Sequence, residues 1–136
     1  LSDEKLIIRK RYLGPEESFG LTISNRAGSV KLKNEFFELK PLEKSLNQPC
    51  YYPFYKVLID NNGDVLICSN DWKKEAVVGN ISKESLIIIW SSSLFLDIRK
   101  NLLKGSRCHK PCAACDVNGL MNGKKSCDRW KKYLSK

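Results

Sequence analysis

Cys50-Tyr51-Tyr52-Pro53-Phe54-Tyr55-Lys56-Val57-Leu58-Ile59-Asp60-Asn61-Asn62-Gly63-Asp64-Val65-Leu66-Ile67-Cys68 is the stretch from which the rest of the chain can be read. Asn-Gly between two apolar, β-branched runs is the strongest short-range hairpin signal. Here the runs are Tyr55 to Asp60 and Val65 to Cys68. A two-residue loop predicts the pairs Asp60 with Val65, Ile59 with Leu66, Leu58 with Ile67 and Val57 with Cys68. Cys68 then lies at the end of the hairpin away from the turn, and Cys50 precedes the first strand on that same end. Gly63 lets the chain reverse tightly, so that the two thiolates can converge.

Six cysteines occur: Cys50, Cys68, Cys108, Cys112, Cys115 and Cys127. An even count is compatible with three disulfides in a secreted domain. Against that, the chain opens Leu-Ser-Asp-Glu-Lys without the basic-then-apolar pattern of an export signal. Nor is it a small loop-rich scaffold of the kind that needs staples. Cys112-Ala113-Ala114-Cys115 has metal-ligand spacing, because two residues between thiols let both sulfurs face one centre with the intervening N–H groups turned toward them. A redox dithiol would sit at a thioredoxin-type strand–helix junction, and Pro111 and Asp116 do not fit one. Metal or cluster ligation is therefore the stronger reading.

With 136 residues the chain has room for one domain with a modest core. Its 42% hydrophobic and 29% charged residues are those of a globular domain rather than a disordered one. The longest apolar run, Leu86 to Trp90, is too short to cross a bilayer. The formal charge of +9 suits an acidic peptide, an acidic neighbouring surface, nucleic acid or an anionic cofactor. The basic residues are spread from Lys5, Arg9, Lys10 and Arg11 to Lys31 and Lys33 and on to Lys124, Lys125, Lys131 and Lys132. No tract is dense enough for a nucleic-acid motif, so direct nucleic-acid binding is not expected. There is no initiating Met, and the chain is expected to be part of a larger protein in the cytoplasm.

Residues 1–49 contain strand-like pieces, Leu6 to Ile8 and Gly20 to Ser24, with turns at Gly14-Pro15 and Ala27-Gly28, and a linker from Lys40 to Pro49. Ser82 is the expected N-cap of a helix from Lys83 to about Ser91, with Glu84 in its first turn. A second helix is expected from Leu94 to Lys104, ending at Gly105. Leu94, Ile98 and Leu102 would form its apolar face, and Trp90 reads as core. A last helix is expected from Ser126 to Leu134.

Four features together resemble the SPASM domain. They are the hairpin Cys50…Leu58-Ile59-Asp60-Asn61-Asn62-Gly63-Asp64-Val65-Leu66-Ile67-Cys68-Ser69-Asn70-Asp71; Val78-Gly79-Asn80-Ile81; Ser85-Leu86-Ile87-Ile88-Ile89-Trp90; and Arg99 with Leu102, Leu103 and Pro111-Cys112-Ala113-Ala114-Cys115. SPASM domains and their shorter twitch relatives are C-terminal auxiliary domains of radical SAM enzymes and hold 4Fe-4S clusters. The full family pattern has seven motif cysteines and two clusters. Here the second half stops at Cys112 and Cys115, with nothing further until Cys127. The resemblance therefore implies the single-cluster version, with Cys50, Cys68, Cys112 and Cys115 as ligands. Cys108-x3-Cys112-x2-Cys115 has the spacing of the S-adenosylmethionine-cleaving motif. In that family, however, the motif lies early in a TIM-like barrel, and no barrel fits this length.

The implied fold is α+β: a small antiparallel β-hairpin with short helices around a cysteine-ligated cluster, preceded by a β-rich adaptor. Residues 1–45 would be the adaptor to an upstream radical SAM barrel, and 46–136 the cluster domain. The implied function is an auxiliary 4Fe-4S cluster, supporting electron transfer or substrate positioning while a peptide or small molecule is modified. On its own the chain is not expected to cleave S-adenosylmethionine, whose site would lie in the barrel. The competing reading is a structural zinc module with four cysteine ligands and no redox role, a metal state that aerobic preparation could also produce. Tyr51, Tyr52, Phe54 and Tyr55 form either a dry wall round the cluster or an ordinary small core. His109 reads as an exposed histidine, Cys108 and Cys127 as free thiols, and Asp71 and Asp116 as solvated acids.

Overall fold

The computed structural model describes residues 24–33, 35, 38–120 and 122–134. The strands expected at Leu6 to Ile8 and Gly20 to Ser24 and the turn at Gly14-Pro15 lie outside these residues, Ser24 apart. The architecture is α+β. Strands β1 (Leu32–Lys33) and β2 (Glu38–Leu39) form a small antiparallel ribbon. Strands β3 (Leu58–Ile59), β4 (Asp64–Leu66) and β5 (Val77–Asn80) form an antiparallel sheet in the order β3-β4-β5. Helices α1 (Leu86–Trp90), α2 (Ser93–Leu103) and α3 (Lys124–Leu134) follow. The turn expected at Ala27-Gly28 is present, and residues 40–49 have no regular structure, as a linker would.

The hairpin forms where Asn-Gly places it, but its register is one residue from the expected one. Leu58 pairs with Leu66 and Ile59 with Val65. The loop is longer than two residues: the Gly63 N–H donates to the Asp60 carbonyl at 3.1 Å, and the Asp60 N–H to the Asp64 carbonyl at 3.0 Å. Gly63 takes φ +82°, the left-handed residue that closes a three-residue hairpin loop. The Asp60 carboxylate fixes this choice by accepting from the N–H groups of Asn62 (2.8 Å) and Asp64 (3.0 Å). Lys74 caps the same carboxylate from outside.

Strand β5 carries the Gly-Asn motif; it pairs with β4 and shifts register between Val65 and Leu66. Gly79 lets α1 pack against it, since a Cβ there would lie 2.7 Å from Ile89. The N-cap of α1 is Ser85, not Ser82, and its hydroxyl accepts from Ile88 N. The residues before it are taken by a turn on Asn80, whose side chain accepts from Ser82 N and whose carbonyl accepts from Lys83 N and Glu84 N. Glu84 thus precedes the helix instead of lying in its first turn.

Helix α2 is capped by Ser92 and ends before Gly105, close to the expected bounds. Its inward row is Phe95, Ile98, Arg99 and Leu102, not one beginning at Leu94, which is 50% exposed. Positions 95, 98, 99 and 102 are the i, i+3, i+4, i+7 stripe of one helix face. They join Val65, Ile67, Val78 and Ile89 in the main core, against which Cys50, Cys68, Cys112 and Trp90 pack. A second cluster gathers Phe54, Cys127 and Leu134, with Tyr51 and Trp130 at its edge.

Arg99 is fully buried between these clusters. Its guanidinium lies 4.0–4.2 Å from the ring centroids of Phe95, Trp90 and Trp130. It donates to the carbonyls of Pro53 and Trp90 at 2.9 and 2.6 Å. Desolvation lowers its pKa to about 10. Three aromatic faces and two carbonyls are what replace water around this cation.

Candidate metal centre

Three segments deliver four thiols to one place. Cys50 enters just before a 3-10 turn at Tyr52–Phe54, Cys68 follows β4, and Cys112 and Cys115 flank a second 3-10 turn at Cys112–Ala114. All four line a single part-open cleft enclosing about 370 Å³, its mouth included. Ala27, Tyr52, Pro53, Asn70, Arg107, Pro111 and Val117 complete the wall.

Cys50 and Cys68 are held by hydrogen bonds as well as by packing. The Cys50 N–H donates to the Leu102 carbonyl at 3.3 Å, tying the first thiol to α2. The Tyr51 N–H donates to the Gly119 carbonyl at 2.9 Å. Asn70 donates to Cys68 Sγ from both its backbone N–H (3.4 Å) and its side-chain amide (3.6 Å).

The surroundings are dry. Burial raises the Cys50 pKa, against the lowering effects of a backbone donor and of Arg107. Burial also pushes the Cys115 thiol up to about 11, and Cys112 higher still, with the neighbouring cysteines adding to the shift at Cys112. Thiols packed this closely in an apolar wall lose their protons at neutral pH only when a cation takes over the sulfur charge. No three or more His, Cys, Asp or Glu side chains among the described residues are grouped to hold one metal ion. The four thiols line one cleft, and this donor set fits iron–sulfur chemistry.

The remaining candidates fall elsewhere. Cys108 is exposed, and Cys127 is buried on α3 in the second hydrophobic cluster. None of the six cysteines is disulfide-bonded. His109 is half-buried, with Nε2 2.9 Å from the Asn101 amide. Among the aromatic residues Tyr52 lines the cleft, Phe54 belongs to the second cluster and Tyr55 is exposed, so the dry-wall and small-core readings divide between them.

Asp71 is not a solvated acid: it is 1% exposed, and its carboxylate accepts from Glu75 N and Ala76 N at 2.9 Å each. It closes the loop that carries Cys68 back into β5. Asp116 is also engaged, accepting from Asn25 N at 2.8 Å.

Asn25 is the residue that sequence reasoning missed. It is fully buried, and its side-chain amide donates to the carbonyls of Ala114 (2.7 Å) and Lys40 (2.9 Å). Its Oδ1 accepts from Gly28 N at 3.1 Å and Asp116 N at 3.3 Å. The Leu42 N–H also donates to the Ala114 carbonyl. Asn25 and Leu42 therefore clamp the Cys112–Cys115 loop from outside. The turn at Ala27-Gly28 is the only local signal of this.

Residues 50–116 match the SPASM family, described as an iron-sulfur cluster-binding domain. The S-adenosyl-L-methionine-dependent 2-deoxy-scyllo-inosamine dehydrogenase of Niallia circulans is 30% identical over 87 residues, which are 64% of this chain and 32% of that protein. The crystal structure of BtrN in complex with AdoMet and 2-DOIA superposes with a TM-score of 0.60 at 25% identity, covering 76% of this chain and 38% of that one. BtrN in an open conformation gives 0.52 at 30% identity, over 53% of this chain and 34% of that one. The chain spans about a third of the length of the proteins it matches.

Proposed function

Because residues 50–116 match the SPASM family of iron-sulfur cluster-binding domains, we propose that Cys50, Cys68, Cys112 and Cys115 ligate one 4Fe-4S cluster here. The observation that carries this reading is the shared cleft: four thiols from three segments line it, while Cys108 and Cys127 do not. When bound, such a cluster supplies one-electron transfer at a potential set by its surroundings.

The protein's own residues do the rest. The four cysteines fill the ligand positions, which supports an electron-transfer or substrate-positioning role over direct binding of substrate to iron. Tyr52, Pro53 and Val117 keep water from the sulfurs, and Asn70 donates to Cys68. The domain works beside a radical SAM domain, as befits relatives about three times its length, and residues 1–45 serve as the adaptor to it. The substrate is a peptide or a small molecule modified by a radical formed at the other domain. The compartment is the cytoplasm, where thiols stay reduced. Among the described residues no helix is long and apolar enough to cross a membrane.

The test is iron, sulfide and zinc content after anaerobic reconstitution. About four irons and four sulfides per chain are expected, and Cys68→Ala or Cys115→Ala abolishes uptake while Cys108→Ser and Cys127→Ala retain it. One tightly held zinc without iron uptake would replace this reading with a structural zinc module on the same four cysteines. Full iron in either ligand variant would defeat the assignment of ligands.

A further inference from the structure

Arg107 is 3% exposed and lines the cleft beside the cysteines. It donates from Nε to the Gln48 carbonyl (3.1 Å), from Nη1 to Val117 (2.7 Å), and from Nη2 to Pro49 (3.2 Å) and Asn118 (2.6 Å). Two of these carbonyls immediately precede Cys50, and two closely follow Cys115. The guanidinium thus holds together the chain segments that present the first and the last thiol.

All four acceptors are neutral. No carboxylate pairs with Arg107 among the described residues, although a buried cation without an anionic partner is costly. Arg99, the other arginine buried among the described residues, has three aromatic faces around it and does not line the cleft. Arg107 instead lines the cleft together with the four thiols. Lys56 and Arg26 also stand near, but they are half-exposed, where salt screens them. A guanidinium stays charged throughout the working pH range.

We propose that Arg107 is the buried counter-charge of the metal centre, a positioning residue that joins the two ligand-bearing segments and raises the midpoint potential of the cluster they hold. The proposal rests on the iron–sulfur reading above. A thiolate-ligated cluster is anionic and gains one more negative charge on reduction, with no bond broken. A fixed cation in a dry wall therefore stabilises the reduced form more than the oxidised form.

The experiment is an EPR-monitored redox titration with dithionite as reductant, on reconstituted wild type, Arg107→Gln and Arg107→Lys, with iron content measured alongside. In Arg107→Gln the oxidised-to-reduced ratio at fixed potential is expected to rise at least tenfold, a fall of about 59 mV for a one-electron couple. Arg107→Lys, which keeps a cation but cannot reach four carbonyls, is expected to stay near the wild-type potential at lower iron occupancy. An unchanged potential in a loaded Arg107→Gln overturns the proposal, as does an equal fall in Arg107→Lys. If Arg107→Gln takes up no iron, Arg107→Lys decides: uptake supports the need for charge, and failure of both overturns it. Wild type that takes up no iron would instead defeat the iron–sulfur reading itself.

Discussion

At Gly119 the missing side chain is what leaves room for Cys50. Its φ is +76°, and a Cβ there would stand 2.5 Å from Cys50 Sγ. Both facts exclude alanine, one through backbone strain and the other through collision. Gly119→Ala is expected to displace Cys50 and at least halve iron uptake under conditions that load the wild type, with normal uptake as the outcome that refutes the contact. Sequence alone identified the four thiols but not this glycine. Spacing reports which residues carry sulfur, whereas the approach of residue 119 to residue 50 exists only once the chain has closed on itself.

Among the elements, the hairpin decides where Cys68 points, and Asp60 decides the hairpin. The hydrogen bond from Lys74 holds the Asp60 carboxyl below its ordinary 3.8, helped by the N–H groups of Asn62 and Asp64. A carboxyl lowered on folding stabilises the fold above its unfolded pKa, and that contribution is lost as pH falls through the folded value. The turn should therefore loosen only below pH 3.8. By NMR, the amide signals of Asn62 and Asp64 should titrate with a midpoint below that value, moving up toward it in Lys74→Met. A wild-type midpoint at or above 3.8 would remove Lys74 from the support of the turn. The Asn-Gly signal placed the turn correctly but missed the loop length by a residue. The three-residue loop wins because Asp60 satisfies two of its N–H groups, a side-chain choice that turn propensity does not register.

Across the whole molecule, the metal centre depends on a residue far from it in sequence. Asn25 and Asp116 are 91 positions apart and exchange hydrogen bonds that hold the Cys112–Cys115 loop. Removing a buried amide that satisfies several partners typically costs about 1–3 kcal/mol. Asn25→Ala is expected to lower stability by about that much and to speed the loss of iron to a chelator. An unchanged chelation rate would show that the clamp does not support the cluster loop. The coupling also bears on the adaptor reading of residues 1–45, since Asn25 and Leu42 bond to the cysteine loop itself.

The sequence by itself determined the hairpin, the α+β class and the approximate bounds of α2 and α3, because each rests on interactions within a few residues. The inward row of α2 and the roles of Asn25, Arg99 and Arg107 were decided by tertiary structure. In each case a polar group or helix face has its partner settled by which distant segment excludes water from it. An arginine reads as surface until four carbonyls from two loops close around it, as they do at Arg107.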